Sequence, residues 1–566
     1  MLSLLLRIKK IWETFSGVEK KLLLFFIGFI LLNVGAAIWL RHTGTEAPAY
    51  GGQYVEGLEG QPGHINPLLA SPNAVDADLA RIIFNGVLKF DSQQQLVPDL
   101  ATGLPNMSSS GKEYTIKLRD KIYWHDGAQL TADDVVFTYQ LIQNADFSSP
   151  LRFSWNRVTV EKIDNLTVKV TTRESSSTFL ANLTVGILPK HLWENIPATS
   201  FALSKLNLEP VGTGPFQIKS IKRGGNGEIR SMSLQSYNRY FAGRPYLKTL
   251  TFNFYQSTDQ LISAYQSREI MGLGYIPFDR NLFLDPKNKL QKVVLPLPQY
   301  QAVFFNRAKN PAALGDINVR LALAKSVDKK KITDDVFAGL AGEAYGPILP
   351  GMLGYHEQIP GADMNIYDAE KAKALLEKSN WIIDPGIGFR KDKQGRILTV
   401  ELATNTFTPN VRVAEQLKQM WEAIGVQVVL RIETVADLEQ NFIRPRNYEL
   451  LLFSENVGAD PDPFSFWHSS QVRDPGSNFA MYSNKTADKL LVDARANILP
   501  ADRAAKYRQF QEIFVGDVPA IFLDRNVYVY YIPTSLKGAT FNSVVTTSER
   551  FANVNQWYLA TKRIHK

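Results

Sequence analysis

Two carboxylates, Asp460 and Asp462, have the setting that most suggests binding chemistry. An apolar run at residues 450–453 predicts a buried strand, and Gly458 and an Asp-Pro-Asp-Pro segment follow it. Proline donates no N–H and biases the residue before it away from helix, so a stiff loop presents both carboxylates at a strand end. In open α/β sheets, ligands bind beyond the carboxyl ends of strands. A fixed negative charge near Trp467 suits a ligand with an apolar body and a positive end. The alternative is a turn with solvated aspartates and core aromatics.

Length and composition restrict the class of protein. The chain has 566 residues, too many for one hydrophobic core, so several domains are expected. Its net charge of +8 is small for that length, and the longest basic run is at residues 329–331, so nucleic-acid binding is not expected. The sequence has no cysteine, which excludes disulfides, thiolate metal sites and a lipid-modified N-terminal cysteine.

The N-terminus predicts the compartment. The stretch from Leu22 to Leu40 has no charged residue and is long enough to cross a bilayer as a helix. Basic residues are concentrated before it, so residues 1–21 are expected in the cytoplasm and residues 41–52 form a tether outside. A cleaved signal peptide is the alternative, but signal h-regions are shorter. We therefore expect a single-pass cell-membrane protein with an extracytoplasmic body.

Several motifs in the body follow one another in a recognisable order. Residues 118–137 (LRDKIYWHDGAQLTADDVVF) predict a strand, a turn and a helix capped at Thr131. A Pro-Asp-Leu-Ala segment precedes them at residues 98–101, and VGTGPF follows at residues 211–216. As a nucleotide-binding motif the latter is weak, because Gln217 occupies the position of the third glycine. Further motifs are LPKH at 188–191, a Tyr-Asn-Arg-Tyr segment at 237–240, the helix after Asp316, YDAEKAKALL at 367–376 and DVPAIFL at 517–523.

In order and spacing, these motifs resemble family 5 of the extracytoplasmic solute-binding proteins of ABC importers, whose members bind peptides, dipeptides or nickel. The resemblance covers residue 53 to the C-terminus. It implies a periplasmic-binding-protein-like α/β fold of two lobes joined by a hinge, with an extra α/β domain. By motif order, lobe I comprises 53–83, 212–296 and 517–566, domain II comprises 84–211, and lobe III comprises 297–516.

The resemblance also implies where the ligand binds. In peptide-binding members, an aspartate after a lobe III strand pairs with the peptide α-amino group, and Asp460 is the residue we place there, with Asp462 as the alternative. The other predicted wall residues are Asn66, Tyr300, Asn306 and Trp467. No arginine can be assigned to a ligand carboxylate, so ligand length stays open.

The expected function is capture of an oligopeptide and its delivery to the permease subunits of an ABC importer, by a monomer without cofactor or metal. A dipeptide, nickel chelate, haem or oligosaccharide is an alternative ligand. An anchored hydrolase is a rival, but the HExxH and GxSxG motifs are absent, and Pro360 interrupts a zinc helix after His356 and Glu357. A sensor is a further rival, although a cytoplasmic segment of residues 1–21 is too short for a signalling domain.

Overall fold

The computed structural model describes residues 14–564, except for positions 44, 71–72, 92, 174, 176–177, 277–288, 361–365 and 498. The predicted cytoplasmic segment therefore lies largely outside the described residues.

The first helix, α1, runs over Gly17–Thr43 and contains the predicted membrane span. Large apolar side chains are exposed along it, among them Leu22, Phe25, Ile30 and Leu32. Side chains are described only as far as residue 35, so those of residues 36–40 lie outside the description. Among the helices whose residues are described, none meets the combined requirement of length and apolar character for crossing a bilayer. The predicted anchor is therefore not confirmed.

Lobe I is built on a mixed sheet whose central strand, β2, pairs parallel with a strand from much later in the chain. Strand β2 is buried along its centre, because Tyr54 and Leu58 pack on one apolar core and Val55 packs against another. Asn73 caps helix α2 by accepting from the Val75 and Asp76 backbone amides. The elements are β1 (Thr45–Pro48), β2 (Gln53–Glu59), α2 (Ala74–Ile83), β9 (Phe216–Arg223), β10 (Ile229–Ser236), β11 (Thr249–Tyr255), α5 (Thr258–Gln266), β12 (Gly272–Leu273) and β21 (Thr561–Ile564).

Domain II is inserted between α2 and β9 and carries its own antiparallel sheet, in the order β5-β6-β8-β7. The predicted cap is confirmed: Thr131 and Asp134 form a capping box at the start of helix α3. The elements are β3 (Leu88–Phe90), β4 (Leu96–Pro98), β5 (Asn106–Met107), β6 (Glu113–Lys117), α3 (Ala132–Gln143), β7 (Val158–Asp164), β8 (Thr167–Thr172) and α4 (Lys190–Trp193).

Lobe III packs helices on both faces of its part of the sheet, so that two separate apolar cores lie against the same strands. The predicted strand at residues 450–453 is β19, which is buried at Leu450, Leu451 and Leu452. The elements before the last crossing are β13 (Leu290–Phe305), α6 (Pro311–Leu314), α7 (Ile317–Lys325), α8 (Lys329–Phe337), β14 (Gly342–Glu343), α9 (Ala369–Lys378), β15 (Ile382–Ile383), β16 (Arg390–Lys391), β17 (Thr399–Asn405), α10 (Thr408–Glu422), β18 (Gln427–Glu433), α11 (Val435–Asp437), β19 (Leu450–Asn456), α12 (Phe464–Trp467), α13 (Lys485–Ala496), α14 (Pro500–Asp517) and β20 (Ala520–Pro533).

Two long antiparallel strands, β13 and β20, connect the lobes and make their sheets continuous, in the order β18-β17-β19-β13-β20-β12-β2-β11-β10-β9. Their register shifts between Pro296 and Tyr300, where proline cannot donate to the ladder. This shift coincides with the predicted crossover near residue 296. On β20 the shift lies between Arg525 and Val527, later than the predicted boundary at 516, because the first half of that strand still pairs within lobe III.

Candidate ligand-binding site between the lobes

The central cavity lies between lobe I and lobe III, above the two crossing strands, and has a volume of about 730 Å³. That volume is within the range of sites for small ligands. Its wall is mainly apolar, with amide and hydroxyl groups at intervals. Apolar wall residues include Leu58, Val75, Tyr275, Leu297, Phe337, Phe407, Phe453 and Tyr528, and polar ones include Thr258, Gln301, Asn405, Asn410, Ser454 and Asn526.

A second cavity of about 580 Å³ adjoins the first and extends toward domain II. The two share Ala74 and Thr547 as wall residues, so they are neighbouring compartments of one cleft. Trp155 of domain II and Gly458 and Ala459 of the predicted binding loop line the second compartment. The loop therefore reaches the cleft at Gly458 and Ala459.

The lobe I wall of the central cavity is fixed by a buried ionic cluster around Arg550. This guanidinium pairs with Asp78 at 2.5 Å and with Glu56 at 2.9 Å, and its side chain is 1% exposed. Burial raises the pKa of Glu56 and of Asp78, although the positive charge of Arg550 opposes both shifts. Tyr530 donates a further hydrogen bond to Glu56. The arginine is thus held by protein carboxylates and offers no free charge to a ligand carboxylate.

The floor of the cavity carries a chain of amide hydrogen bonds that ends at an open acceptor. Asn405 Oδ1 accepts from the backbone N–H of Phe407 at 3.1 Å and from Asn410 Nδ2 at 3.0 Å. Asn410 Oδ1 in turn accepts from Gln301 Nε2 at 2.8 Å. Gln301 Oε1 is buried and has no hydrogen-bond partner among the described residues.

Asp524 lies directly opposite Gln301 in the register of β13 and β20. It is fully buried, and neither carboxyl oxygen has a hydrogen-bond partner within the described part of the chain. Burial raises its pKa to about 8. A buried carboxyl without a partner is uncommon in proteins and requires an explanation.

Asp460 and Asp462 are each paired with an arginine of lobe III. Both carboxylate oxygens of Asp460 accept from Arg503, at 2.9 and 2.5 Å. Asp462 accepts from Arg495 Nε at 2.8 Å, and burial raises the Asp462 pKa although Arg495 opposes this. Neither aspartate lies on the wall of either compartment. The predicted contact with a ligand amine would require the internal pair to open, and it stays a prediction.

The other four predicted wall residues are buried in the lobes and lie on neither cavity wall. Trp467 packs against Phe514 in a lobe III core, with ring centroids 4.4 Å apart. Asn306 donates to the Arg446 carbonyl at 3.0 Å. These side chains have protein neighbours in the empty protein, and their predicted ligand contacts stay predictions.

Tyr300 and Asn66 also make internal hydrogen bonds. The Tyr300 hydroxyl donates to the buried Glu455 carboxylate. Asn66 Oδ1 accepts from the Leu68 backbone amide at 3.0 Å, which shapes the loop before α2. The internal hydrogen bonds of Tyr300 and Asn66 do not test their predicted ligand contacts, which stay predictions.

The comparisons with known proteins agree with this architecture. The family model described as bacterial extracellular solute-binding proteins, family 5 Middle, matches residues 95–477. This chain belongs to family 5 of the bacterial extracellular solute-binding proteins. Such proteins are non-enzymatic binding components of ABC importers and act outside the cytoplasm, so the predictions of family and of a non-enzyme are confirmed.

Individual relatives match nearly the whole length of this family 5 protein. The oligopeptide-binding protein AppA of Bacillus subtilis is 28% identical over 523 residues, covering 91% of this chain and 92% of the relative. The dipeptide-binding protein of Escherichia coli is 26% identical, covering 85% and 90%. The structure of Bacillus subtilis AppA in complex with a nonapeptide matches with a TM-score of 0.72 and 27% identity, covering 91% of this chain and all of that one.

Sequence reasoning missed two polar residues of the crossing strands in this family 5 protein: Gln301, which lines the central cavity, and Asp524, which is fully buried and lies on neither cavity wall. Gln301 directly follows Tyr300, which was selected, and Asp524 lies just after the motif at residues 517–523. The sequence contained one signal for both residues: a glutamine and an aspartate interrupt otherwise apolar strands, and a buried polar group requires a partner.

Among the described residues, no group of three or more His, Cys, Asp or Glu side chains could hold a metal ion.

Proposed function

We propose that this family 5 protein captures peptides in the cleft between lobe I and lobe III and delivers them to the permease of an ABC importer. The observation that carries the proposal is the pair of adjoining compartments, which gives the cleft an extended shape with apolar walls and scattered amides. An extended peptide needs this combination, because its side chains require apolar space and its backbone requires hydrogen-bond partners.

The relatives support the same ligand class. Two of them are named as oligopeptide-binding and dipeptide-binding proteins, and one solved relative holds a nonapeptide. The buried pairing of Arg550 leaves no arginine on the central cavity wall free to fix a peptide carboxylate among the described residues. We therefore propose that peptide length is not set by a carboxylate clamp in this compartment.

Calorimetric titration with tri-, tetra- and penta-alanine tests this function. We expect at least one of these peptides to bind the wild type, and Ser454→Trp to abolish that binding because the indole fills the central cavity. Ser109→Trp, in an exposed loop of domain II, is the matched control and should bind normally. Equal binding by the wild type and Ser454→Trp would place the ligand elsewhere.

We also propose that residues 22–40 attach the protein to the cell membrane as a monomer with its body outside. The support is the uncharged sequence and the exposed apolar side chains of α1. Alkaline extraction of membranes tests the attachment. The full chain should stay in the membrane pellet, and a chain beginning at residue 43 should be released. If both chains are released, residues 22–40 do not anchor the protein.

A further inference from the structure

The wall of the central cavity carries few charges. Among the described residues, its charged side chains are Glu59, Asp78 and Arg550. Arg550 is paired with two carboxyls, those of Asp78 and Glu56, so this cluster adds no net positive charge to the cavity. Glu59 is therefore the charge that a ligand in this compartment meets.

The negative charge of Glu59 is not balanced by a cation. Glu59 ends strand β2, is exposed, and accepts a hydrogen bond from the Thr258 hydroxyl at 2.6 Å. A hydroxyl satisfies one acceptor site but does not neutralise a carboxylate. Within the described part of the chain, Glu59 makes no ion pair, whereas Asp460 and Asp462 each have an arginine. The Glu59 carboxylate can therefore take a cation from a ligand.

The second compartment has a different set of charges. Arg81 and Lys89 line its wall, together with Glu549. A basic group of a ligand would meet like charges there, which is unfavourable. The central cavity is therefore the better place for such a group.

Apolar surface in the central cavity suits the rest of a basic side chain. Phe407 is 55% exposed, and it lines the cavity together with Tyr275 and Phe337. Lysine and arginine lay their methylene stems along apolar surface and keep the charged end on a polar partner, and aromatic faces attract the cation itself. A basic side chain thus uses both the apolar wall and the carboxylate.

An open acceptor on the cavity floor indicates that the same cavity receives an N–H group. Gln301 lines the cavity, is 1% exposed, and its Oε1 has no hydrogen-bond partner among the described residues. The Phe407 backbone N–H can only donate, so the oxygen of Asn405 must face it. Asn410 then presents its NH₂ to Asn405 and its oxygen to Gln301, whose own oxygen is left open. A peptide backbone supplies the missing N–H.

We propose that the central cavity selects peptides with a lysine or arginine side chain, whose charged end binds the Glu59 carboxylate while a peptide backbone N–H binds Gln301 Oε1. This inference rests on the proposed function, because it assumes a peptide in the central cavity. It concerns a side chain of the peptide and leaves the predicted contact of the α-amino group with the loop at residues 458–463 as it stands.

The test uses calorimetry on the full chain with five alanine pentapeptides, each carrying one lysine at a different position. Each is compared with the peptide that has norleucine there, which keeps the stem and lacks the ammonium. At one position or more, lysine should bind the wild type about tenfold more tightly than norleucine, because the cation is enclosed against Glu59.

Glu59→Gln should reduce this lysine advantage below about twofold, and Glu59→Lys should reverse it, so that norleucine binds more tightly than lysine. Glu269→Gln is the matched control and should keep the full advantage. Glu269 is also exposed in lobe I and also accepts from a hydroxyl, that of Ser267, but it lies on neither cavity wall.

Gln301→Met tests the backbone contact separately. It keeps the size of the side chain but removes the acceptor, so lysine and norleucine peptides should both lose about tenfold in affinity. Gln291→Met, at an exposed position of the same strand, is its control. Unchanged affinities in Gln301→Met would overturn this part of the inference.

The outcomes separate the subsite from the function. If the peptides bind but lysine is no better than norleucine at any position, or if Glu59→Gln keeps the lysine advantage, the subsite is wrong and the peptide function stands. If none of the peptides binds the wild type, the proposed function fails, and the subsite fails with it.

Discussion

The loop at residues 458–463 and the crossing strands at Gln301 and Asp524 hold carboxyl groups in opposite ways. In the loop, Asp460 and Asp462 are each neutralised by an arginine of the same lobe. On the crossing strands, Asp524 has no described partner, and the amide next to it exposes only an acceptor. The loop is conspicuous in the sequence because of its prolines, whereas Gln301 and Asp524 are hidden inside apolar strands.

The difference lies in what each carboxyl group still lacks: the loop aspartates already have a cation, whereas Asp524 has no hydrogen-bond partner among the described residues. A paired aspartate contributes little net potential to a cleft. A buried carboxyl without a partner costs free energy, and it lowers that cost by staying protonated. The predictions below test this distinction by breaking paired groups and by altering the unpaired one.

The largest effect is expected from breaking the buried cluster of the lobe I wall. Arg550→Met would leave Glu56 and Asp78 buried without their cation, and removing one partner of a buried pair costs about 3–5 kcal/mol. We expect a loss of that size in urea denaturation. Arg230→Met is the control, since its pair with Glu228 is exposed to solvent and its loss should cost much less. Equal losses in both variants would show that the cluster does not hold the wall.

A smaller loss is expected when the Asp460 pair is broken. Arg503→Met removes two hydrogen bonds to a carboxylate that is 27% exposed, so water can partly replace the arginine. The expected cost is about 1.5–3 kcal/mol. Arg444→Met, at an exposed pair with Glu439, should have a clearly smaller effect on stability in the same assay. A neutral Arg503→Met would mean that the Asp460 carboxylate is available to ligands.

Asp524, the buried carboxyl without a partner, should make the free energy of unfolding depend on pH. Burial raises the Asp524 pKa from 3.8 to about 8, so between these values the unfolded chain is ionised there and the native chain is protonated. Each pH unit in that window therefore favours unfolding of the wild type by about 1.4 kcal/mol through this group.

Asp524→Asn lacks this contribution, and the other titrating groups cancel in the comparison. Its stability advantage over the wild type should grow by about 1.4 kcal/mol between pH 6 and pH 7 and stop growing above about pH 8. Urea denaturation without peptide measures it. An advantage that is constant with pH would show that Asp524 is ionised in the native protein.

The smallest effect is expected for the stability of Gln301→Met. This substitution removes an acceptor that has no partner but also removes the donor to Asn410. The two changes oppose each other, so we expect a change within about 1 kcal/mol. A larger loss in urea denaturation would indicate that Gln301 acts in folding rather than in binding.

Local sequence signals predicted much of the fold. The cap at Thr131 and the strand at residues 450–453 depend on short-range chemistry that the sequence displays. The lobe boundaries at 296 and 516 came from motif order alone, because nothing in the local sequence shows that the first half of β20 pairs with lobe III strands.

The site was harder to predict because pairing between distant residues is not visible in sequence. Asp460 and Arg503 are separated by helices α12 and α13 and their connecting loops, so nothing near the aspartate shows that it is neutralised. Trp467 looked like an accessible aromatic, but the helices of lobe III enclose it completely. Gln301 and Asp524 come together only when β13 and β20 pair.

The most direct test of the account is a crystal structure of the full-length protein with bound penta-alanine. We predict that the peptide lies in the central cavity and that one of its N–H groups is within hydrogen-bond distance of Gln301 Oε1, about 2.7–3.2 Å. A peptide bound outside the central cavity, with Gln301 Oε1 without a ligand contact, would contradict this expectation.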